Sequence, residues 1–537
     1  MIFEGPSLES VDGVGALTLP GFLGEVCHRH AQREALVFDD PLLDGATVRW
    51  SYEQLETRAR AIAHGLIERG VEPGERIGIV MGNRPDAVAA IFGATAAGAI
   101  AVPLSTFSTT TELHDLIERS DLRLALTQSE LLGRALGAEV AEVVESAVVG
   151  EASWDELAGA NADARVAARV ADRAAVVRPD DHGLILFSSG TTSEPKGMVH
   201  FHRAPTLQFW LQADIFRRTP DARVWAPLPL FWTAGLTTAL GPTLAAGGCF
   251  VMQETFDAGD ALRLLARERV TEPYTLPHQA TALAEHPDWE STDLSSLREV
   301  YGKSVFTRHP SVDGDTAWNM PVAFGMSETC ASVVSHRWDT PRDEMKRSTG
   351  RPLAGVRVRI VDPGTGADLG PDEDGELCLA GPTLLDHYVG KTRAETLDEH
   401  GFLHTGDMGF VDDGGAVHWT GRRTEMIKTA GANVSPAELE VQLRACPDVL
   451  RARVVGLPDD RLGEAVTLCV ELVETSTADE RFLRDFLRDR VAAYKIPRHV
   501  LFFEPGELPT TGSDTKVKDD ELIRIASERL TTNASTT

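Results

Sequence analysis

Between residues 50 and 130 the chain alternates helix-like stretches, such as Tyr52 to Arg69, with short apolar runs, such as Arg76 to Met81 and Ile100 to Pro103. Strands separated by helical patterns of this length specify β-α-β units, which build parallel sheets covered by helices. The rhythm returns near 122 to 127, 247 to 252 and 270 to 276. From about 350 it gives way to short strands with Gly and Pro turns, including Val356 to Val361, Gly375 to Ala380 and Ala416 to Thr420. After Gly421 a smaller α+β unit is expected, with a helix from Ser435 to Arg444, strands near 451 to 456 and 466 to 473, and a helix from Ala478 to Ala493. The expected class is therefore α/β. A large N-terminal domain of parallel-rich sheets with helices covers 1–421 and includes a β-rich subdomain at about 350–421. A small α+β C-terminal domain covers 422–537, its tail frayed after about Ser527. A chain of 537 residues exceeds what one hydrophobic core sustains, which agrees with two domains.

Charge narrows the partners. The net charge of −29 argues against nucleic acid, whose phosphate backbone is held by Lys and Arg. An anionic substrate must then be held by local donors and metal against the overall field. The six cysteines lie far apart with no CxxC spacing, so neither a zinc site nor a disulfide framework is expected and a reducing cytoplasm fits. The N-terminus, MIFEGPSLES, lacks the basic and apolar regions of a secretory signal. The most apolar stretch, Ala87 to Leu104, is rich in Ala and Gly and contains Pro103, so it reads as a buried helix leading into a short strand rather than a transmembrane segment.

One segment carries chemistry on its face. Phe187 to Met198, FSSGTTSEPKGM, follows an apolar run from Gly183 to Phe187 that reads as a buried strand. Small hydroxyl residues and Gly let backbone amides and hydroxyls crowd around an anion, and Lys196 adds positive charge. The segment is not a Walker A loop, since its lysine follows Pro195 and precedes Gly197. Composition alone would by default read as a flexible Ser/Thr/Gly connector. Lysine is scarce: Lys196, Lys303, Lys346, Lys391, Lys428, Lys495, Lys516 and Lys518 are all there are. A chain that prefers arginine is expected to keep lysine where a compact ammonium is needed.

Two later segments, FGMSET at 324 to 329 and TGD at 405 to 407, are weak signals singly. With the first loop, in this order and spacing, they resemble the adenylate-forming superfamily of acyl-CoA synthetases, luciferases and peptide-synthetase adenylation domains, over about Tyr52 to Lys518. The resemblance implies that Ser188, Ser189, Gly190, Thr191, Thr192 and Lys196 surround the β- and γ-phosphates of ATP, with Ser193 where relatives usually have glycine. It implies that Phe324, followed by Gly325, stacks on adenine, that Ser327 bonds the α-phosphate and that Glu328 ligates Mg²⁺. A hard cation bridging phosphates needs only one protein carboxylate and keeps its waters. Asp407 matches the acceptor for both ribose hydroxyls, a task that suits an ionised carboxylate, and Arg422 matches a second ribose or phosphate contact. LPTTGSDTK, Leu508 to Lys516, matches the segment ending in the catalytic lysine that stabilises charge in adenylation; one extra residue leaves Lys518 as an alternative to Lys516. Thr424 falls at the hinge about which the small domain rotates, where relatives commonly carry Asp or Lys.

By the same resemblance PLFWTAG, Pro229 to Gly235, lines the acyl pocket and gates its meeting with CoA. Phe231, Trp232, Gly235, Gly302, Lys303 and Met326 are the expected pocket residues. Lys303, in YGKSV, is either a partner for a second acidic group on the substrate or a solvated surface lysine. The segment lacks the aspartate that pairs a substrate amine in peptide synthetases, which favours a fatty or aryl acid without an α-amino group. KTAGANVSP, with Lys428 and Gly431, matches the loop lining the thioester tunnel. The expected activity is thus that of an acid:CoA ligase using ATP, Mg²⁺ and CoA through an acyl-AMP intermediate, in the cytoplasm, with a homodimer left open. The alternatives are an acyl-AMP ligase that loads a carrier protein and a non-catalytic relative that binds nucleotide or acyl ligand.

Overall fold

A computed structural model describes residues 1–158, 164–187, 195–301, 304–314, 317–318, 320–422, 426–429, 432–459, 462–488, 490–491, 495–510 and 517–534. Cα packing divides the chain into two compact units. One comprises Phe3–Val358 with Leu379–Leu403, the other Met1–Ile2, Arg359–Cys378 and His404–Thr537.

The larger unit carries the expected β-α-β rhythm. Ser51 caps the helix Tyr52–Glu68 in a reciprocal box with Gln54. Its Leu55, Ala59, Ile62, Ala63 and Leu66, at helical spacing, form the buried face. The strand Arg76–Val80 follows, then the helix Pro85–Ala96, in which every residue but Asp86 is buried. Its small residues permit close helix packing: a Cβ added at Gly93 would lie 2.8 Å from the Ala59 carbonyl oxygen. The apolar stretch 87–104 is thus a buried helix and the strand Ile100–Pro103, as its composition implied. Among the described residues no helix is long and apolar enough to cross a membrane.

Seven strands form the central sheet, in the order His387–Tyr388, Gly197–Phe201, His182–Phe187, Ile100–Pro103, Arg76–Val80, Leu124–Thr127 and Ser146–Val149. The last five run parallel, whereas His182–Phe187 and Gly197–Phe201 form an antiparallel pair. These two strands are the arms that residues 188–196 join in sequence. A second sheet holds Glu272–Pro273, Arg223–Trp225, Cys249–Met252, Glu34–Asp40 and Ala46–Ser51, parallel except for its last pair.

In the smaller unit, which the strand Leu403–Val411 joins from His404 on, that strand pairs antiparallel with Val417–Arg422. A further sheet orders Ala432–Val434, Ile427–Thr429, Gly463–Leu472 and Val449–Asp459, with His499–Phe503 parallel to Gly463–Leu472. The helices Pro436–Leu443 and Glu480–Arg488 contribute Leu439, Leu443, Leu483 and Leu487 to its core.

The architecture is the expected α/β class, with differences in detail. The compact smaller unit takes in Met1–Ile2, Arg359–Cys378 and the chain from His404, all ahead of the division expected after Gly421, because these β-rich segments pack with the C-terminal chain. The apolar run 270–276 yields only the two-residue strand Glu272–Pro273. The helix expected over 478–493 spans Glu480–Arg488. The last helix, Asp519–Ala534, continues past Ser527, because Leu522 and Ala526 anchor it in a core with Leu501 and Phe503.

Candidate active site

Lys196 stands at the end of the hairpin loop. Phe187 pairs with Gly197 across the hairpin, and Arg119 Nη2 donates to the Pro195 carbonyl at 3.0 Å. Lys196 is exposed, and its ammonium lies 5.6 Å from the ring centroid of Tyr388. Ser188, Ser189, Gly190, Thr191, Thr192 and Ser193 lie outside the described residues.

The adenine and metal segment is a tight turn between the antiparallel strands Ala323–Met326 and Ala331–Ser335. A register shift falls between Phe324 and Gly325, where the chains approach so closely that a Cβ at Gly325 would sit 2.2 Å from the Ala331 carbonyl oxygen. Phe324 is buried; Ser327 and Glu328, in the turn Ser327–Thr329, are half-buried. Gln208, buried on the helix Arg203–Ile215, donates its amide to the carbonyls of Thr329 at 3.1 Å and Ser332 at 2.9 Å. Leu385 N donates to the Glu328 carbonyl at 2.7 Å, and the Tyr388 hydroxyl donates to Glu328 Oε1 at 3.0 Å. Behind this turn lies His200, fully buried and pushed down to about 4 by desolvation. The Ser327 backbone lies within reach and favours its charged form, yet neither ring nitrogen meets hydrogen-bond geometry among the described residues. The ring is therefore neutral at working pH.

The acyl segment is braced from beneath by Asn83, whose amide donates to the Leu228 carbonyl at 2.8 Å and accepts from Leu230 N at 3.0 Å. Trp232 N returns to the Pro229 carbonyl at 3.1 Å, and the chain enters a π-helix, Ala234–Leu240. Such windings are rare and tend to occur at functional sites. A Cβ at Gly235 would lie 2.1 Å from the Pro229 carbonyl oxygen, so this turn admits only glycine without moving backbone. Phe231 and Trp232 meet edge-on with centroids 6.0 Å apart, and Phe107 packs edge-on against both, at 5.3 Å and 5.9 Å. Phe107 is nonetheless 66% exposed. Thr237 in the π-helix donates to the Cys330 carbonyl, which joins the acyl segment to the end of the Glu328 turn. Met326 is half-buried against the same core; Gly302 and Lys303 lie outside the described residues. The larger unit thus gathers Lys196, Phe324, Ser327, Glu328 and the Trp232 segment around connected backbone.

Asp407 belongs to the smaller unit and is buried. Its Oδ1 accepts from Trp419 Nε1 at 3.0 Å and from Arg422 Nε at 3.2 Å. Lys428 lies on the strand Ile427–Thr429, with its side chain outside the description; Gly431, Thr424 and Lys516 are outside it altogether. Lys518 faces Glu521 at 3.4 Å and is half-exposed.

The donor set fits a magnesium ion. Among the described residues one Glu328 oxygen is held by a phenol and no partner holds the second, which suits a hard cation that takes oxygen ligands and keeps its waters.

Sequence reading found the motif residues but missed Tyr388, Trp419, Asn83 and Phe107. A strand of two residues such as His387–Tyr388 has no periodicity to detect, and Asn83 acts on backbone 145 residues away. Of the scarce lysines, Lys196 and Lys391 both face Tyr388, but Lys346 pairs with Asp343 on the surface with 75% of its side chain exposed.

Residues 23–389 match the family described as AMP-binding enzyme, and residues 438–514 match its C-terminal domain. A feruloyl-CoA synthase from Amycolatopsis is 32% identical over 88% of this chain and 93% of its own. The 3-[(3aS,4S,7aS)-7a-methyl-1,5-dioxo-octahydro-1H-inden-4-yl]propanoyl:CoA ligase of Mycobacterium tuberculosis is 32% identical over 91% of this chain and 95% of its own. Among solved structures, apo MatB from Rhodopseudomonas palustris superposes with a TM-score of 0.73 at 26% identity, covering 95% of this chain and 99% of that one.

Proposed function

The chain belongs to the AMP-binding enzyme family and is an AMP-forming acid:CoA ligase, and on that premise we propose that its substrate is an aryl or polycyclic carboxylic acid without an α-amino group. The observation that carries this choice is the cluster of Phe107, Phe231 and Trp232, whose edge-on rings present a broad apolar wall. Aromatic rings bury large areas and prefer such offset contacts with another ring. Relatives that act on feruloyl, coumaroyl and indoleacetate groups, as their names state, support the same class. Those names also favour CoA over a carrier protein as the acceptor.

The reaction needs no protein nucleophile. The carboxylate attacks the α-phosphorus of ATP, pyrophosphate leaves, and the CoA thiol then displaces AMP from the mixed anhydride. In this reading Lys196 and the loop from Ser188 to Thr192 hold the β- and γ-phosphates, Phe324 stacks on adenine beside Gly325, and Ser327 donates to the α-phosphate. Asp407 accepts from the ribose hydroxyls with Arg422 beside it. Lys516 stabilises the charge that develops as the anhydride forms. Magnesium, held by Glu328, would neutralise phosphate charge. Rotation of a C-terminal domain, 422–537, about Thr424 exchanges Lys516 for the face carrying Lys428 and Gly431 before thioester formation. None of the six cysteines forms a disulfide and all are buried, which supports a reducing cytoplasmic setting.

The test is CoA-dependent AMP release across short, medium and long alkyl, aryl and polycyclic acids, with pyrophosphate release followed in parallel. Thioester formed preferentially with aryl or polycyclic acids supports the proposal. A preference for long alkyl acids overturns the substrate class.

A further inference from the structure

We propose that Tyr388 is a positioning residue of the adenylation centre, holding the Glu328 carboxylate and the Lys196 ammonium in a fixed arrangement for the cation and phosphates of ATP. The proposal rests on the roles assigned to Glu328 and Lys196 above. The Tyr388 hydroxyl donates to Glu328 Oε1 at 3.0 Å, which restrains the carboxylate's rotation so that Oε2 would serve the cation. Two ammonium groups lie over its ring, Lys196 Nζ at 5.6 Å and Lys391 Nζ at 5.7 Å from the centroid. An ammonium within about 6 Å of an aromatic face is attracted by the ring quadrupole.

Backbone ties make this more than a side-chain coincidence. Tyr388 stands opposite Met198 in the sheet, two positions beyond Lys196, and Val389 N donates to the Gly197 carbonyl at 2.7 Å. Three residues before Tyr388, Leu385 N donates to the Glu328 carbonyl at 2.7 Å. The segment 385–389 therefore grips the base of the phosphate hairpin with one end and the Glu328 turn with the other. Tyr388 spans the two with a single side chain. Phenylalanine would fill the same half-buried space, so the hydroxyl is the part that packing does not require.

Losing a group that orients a metal-ligating side chain typically costs about 10- to 100-fold in metal affinity. The experiment compares wild type with Tyr388→Phe, Tyr388→Leu, Glu328→Gln and the Tyr388→Phe/Glu328→Gln double variant. It measures Mn²⁺ binding to the enzyme–ATP complex by electron paramagnetic resonance, the Mg²⁺ dependence of ATP–pyrophosphate exchange, and thermal unfolding. We expect Tyr388→Phe to raise the half-saturating Mn²⁺ and Mg²⁺ about tenfold or more, with unchanged KM for the acid and an unchanged melting temperature. The double variant should be no weaker in metal than Glu328→Gln, and Tyr388→Leu should also raise KM for ATP through Lys196. If Glu328→Gln weakens the metal but Tyr388→Phe stays within twofold of wild type, or the two effects multiply, the positioning role is overturned. If Glu328→Gln leaves metal binding intact, the metal assignment itself fails and the proposal with it.

Discussion

Trp419 donates its indole N–H to Asp407 Oδ1 at 3.0 Å. Arg422 Nε approaches the same oxygen at 3.2 Å, so one carboxylate oxygen is committed to the protein and the group is held in one rotamer. A ribose acceptor fixed in advance loses no rotational freedom when nucleotide binds. Hydrogen bonds to charged groups contribute roughly 1.5–3 kcal/mol. Trp419→Phe keeps the ring and removes the donor, and we expect KM for ATP to rise by about tenfold with kcat changed far less. Asp407→Ala should raise it further. Equal KM values for wild type and Trp419→Phe, from initial rates at saturating acid, would rule out this orienting role.

Why Trp419 escaped sequence reading while Asp407 did not is instructive. Asp407 sits in a short, recognisable string, whereas Trp419 is an ordinary aromatic on a strand whose partner register sets the contact. The register shift between Met408 and Gly409 decides which residues of the two strands face each other. A bulge of that kind leaves no mark in the alternation of apolar and polar residues. Helices and buried strands were legible because burial imposes periodicity: Tyr52–Glu68 and Pro85–Ala96 lie within a residue or two of where the pattern put them or the apolar stretch that contains them. The break between compact units was not, since Arg359–Cys378 joins the C-terminal chain through packing across a wide sequence gap. Tyr388 reaches Glu328 across 60 residues, through a two-residue strand that no local pattern announces.

Phe107 offers a direct probe of the acyl site. Its ring is 66% exposed yet packs edge-on against both Phe231 and Trp232, so little of its area is committed to the fold. Removing it should cost little stability. An aromatic pair contributes about 0.5–1.5 kcal/mol beyond its buried area. We expect Phe107→Ala to raise KM for the best aryl acid by roughly 2- to 10-fold on that basis. KM for a short alkyl acid should hardly move. A uniform loss across all acids, measured by AMP release, would show that the ring serves the loop rather than the substrate.

Gly325 tests how tightly the Phe324 turn is built. A methyl group there would meet the Ala331 carbonyl oxygen at 2.2 Å and Ser332 Cα at 2.5 Å, both of them backbone that a rotamer change cannot move. Overpacking of this kind typically costs about 1–3 kcal/mol. Gly325→Ala should lower the melting temperature and raise KM for ATP together, because the shift displaces Phe324 and Glu328. Gly314→Ala is the control, since no atom of the described residues lies within 4 Å of a Cβ there. Equal melting temperatures for the two variants would mean that the strands part easily at this point.

Acid should loosen the larger unit through two buried histidines. Burial pushes both His200 and His202 down to about 4 from 6.5. The unfolded chain takes up these protons first as pH falls, so stability is complete above pH 6.5, declines towards pH 4 and loses nothing further from these groups below it. Each contributes on the order of 3 kcal/mol across that window. The two differ at neutral pH. His202 Nδ1 accepts from Leu19 N at 3.3 Å, so His202→Leu strands a buried amide, at about 1–3 kcal/mol. Among the described residues His200 makes no such bond, and His200→Leu should be nearly neutral at pH 7.5 while flattening the fall in melting temperature between pH 6.5 and 4.5. Melting curves for the two variants across that range decide the matter: if His200→Leu keeps the wild-type slope, the acid sensitivity originates elsewhere.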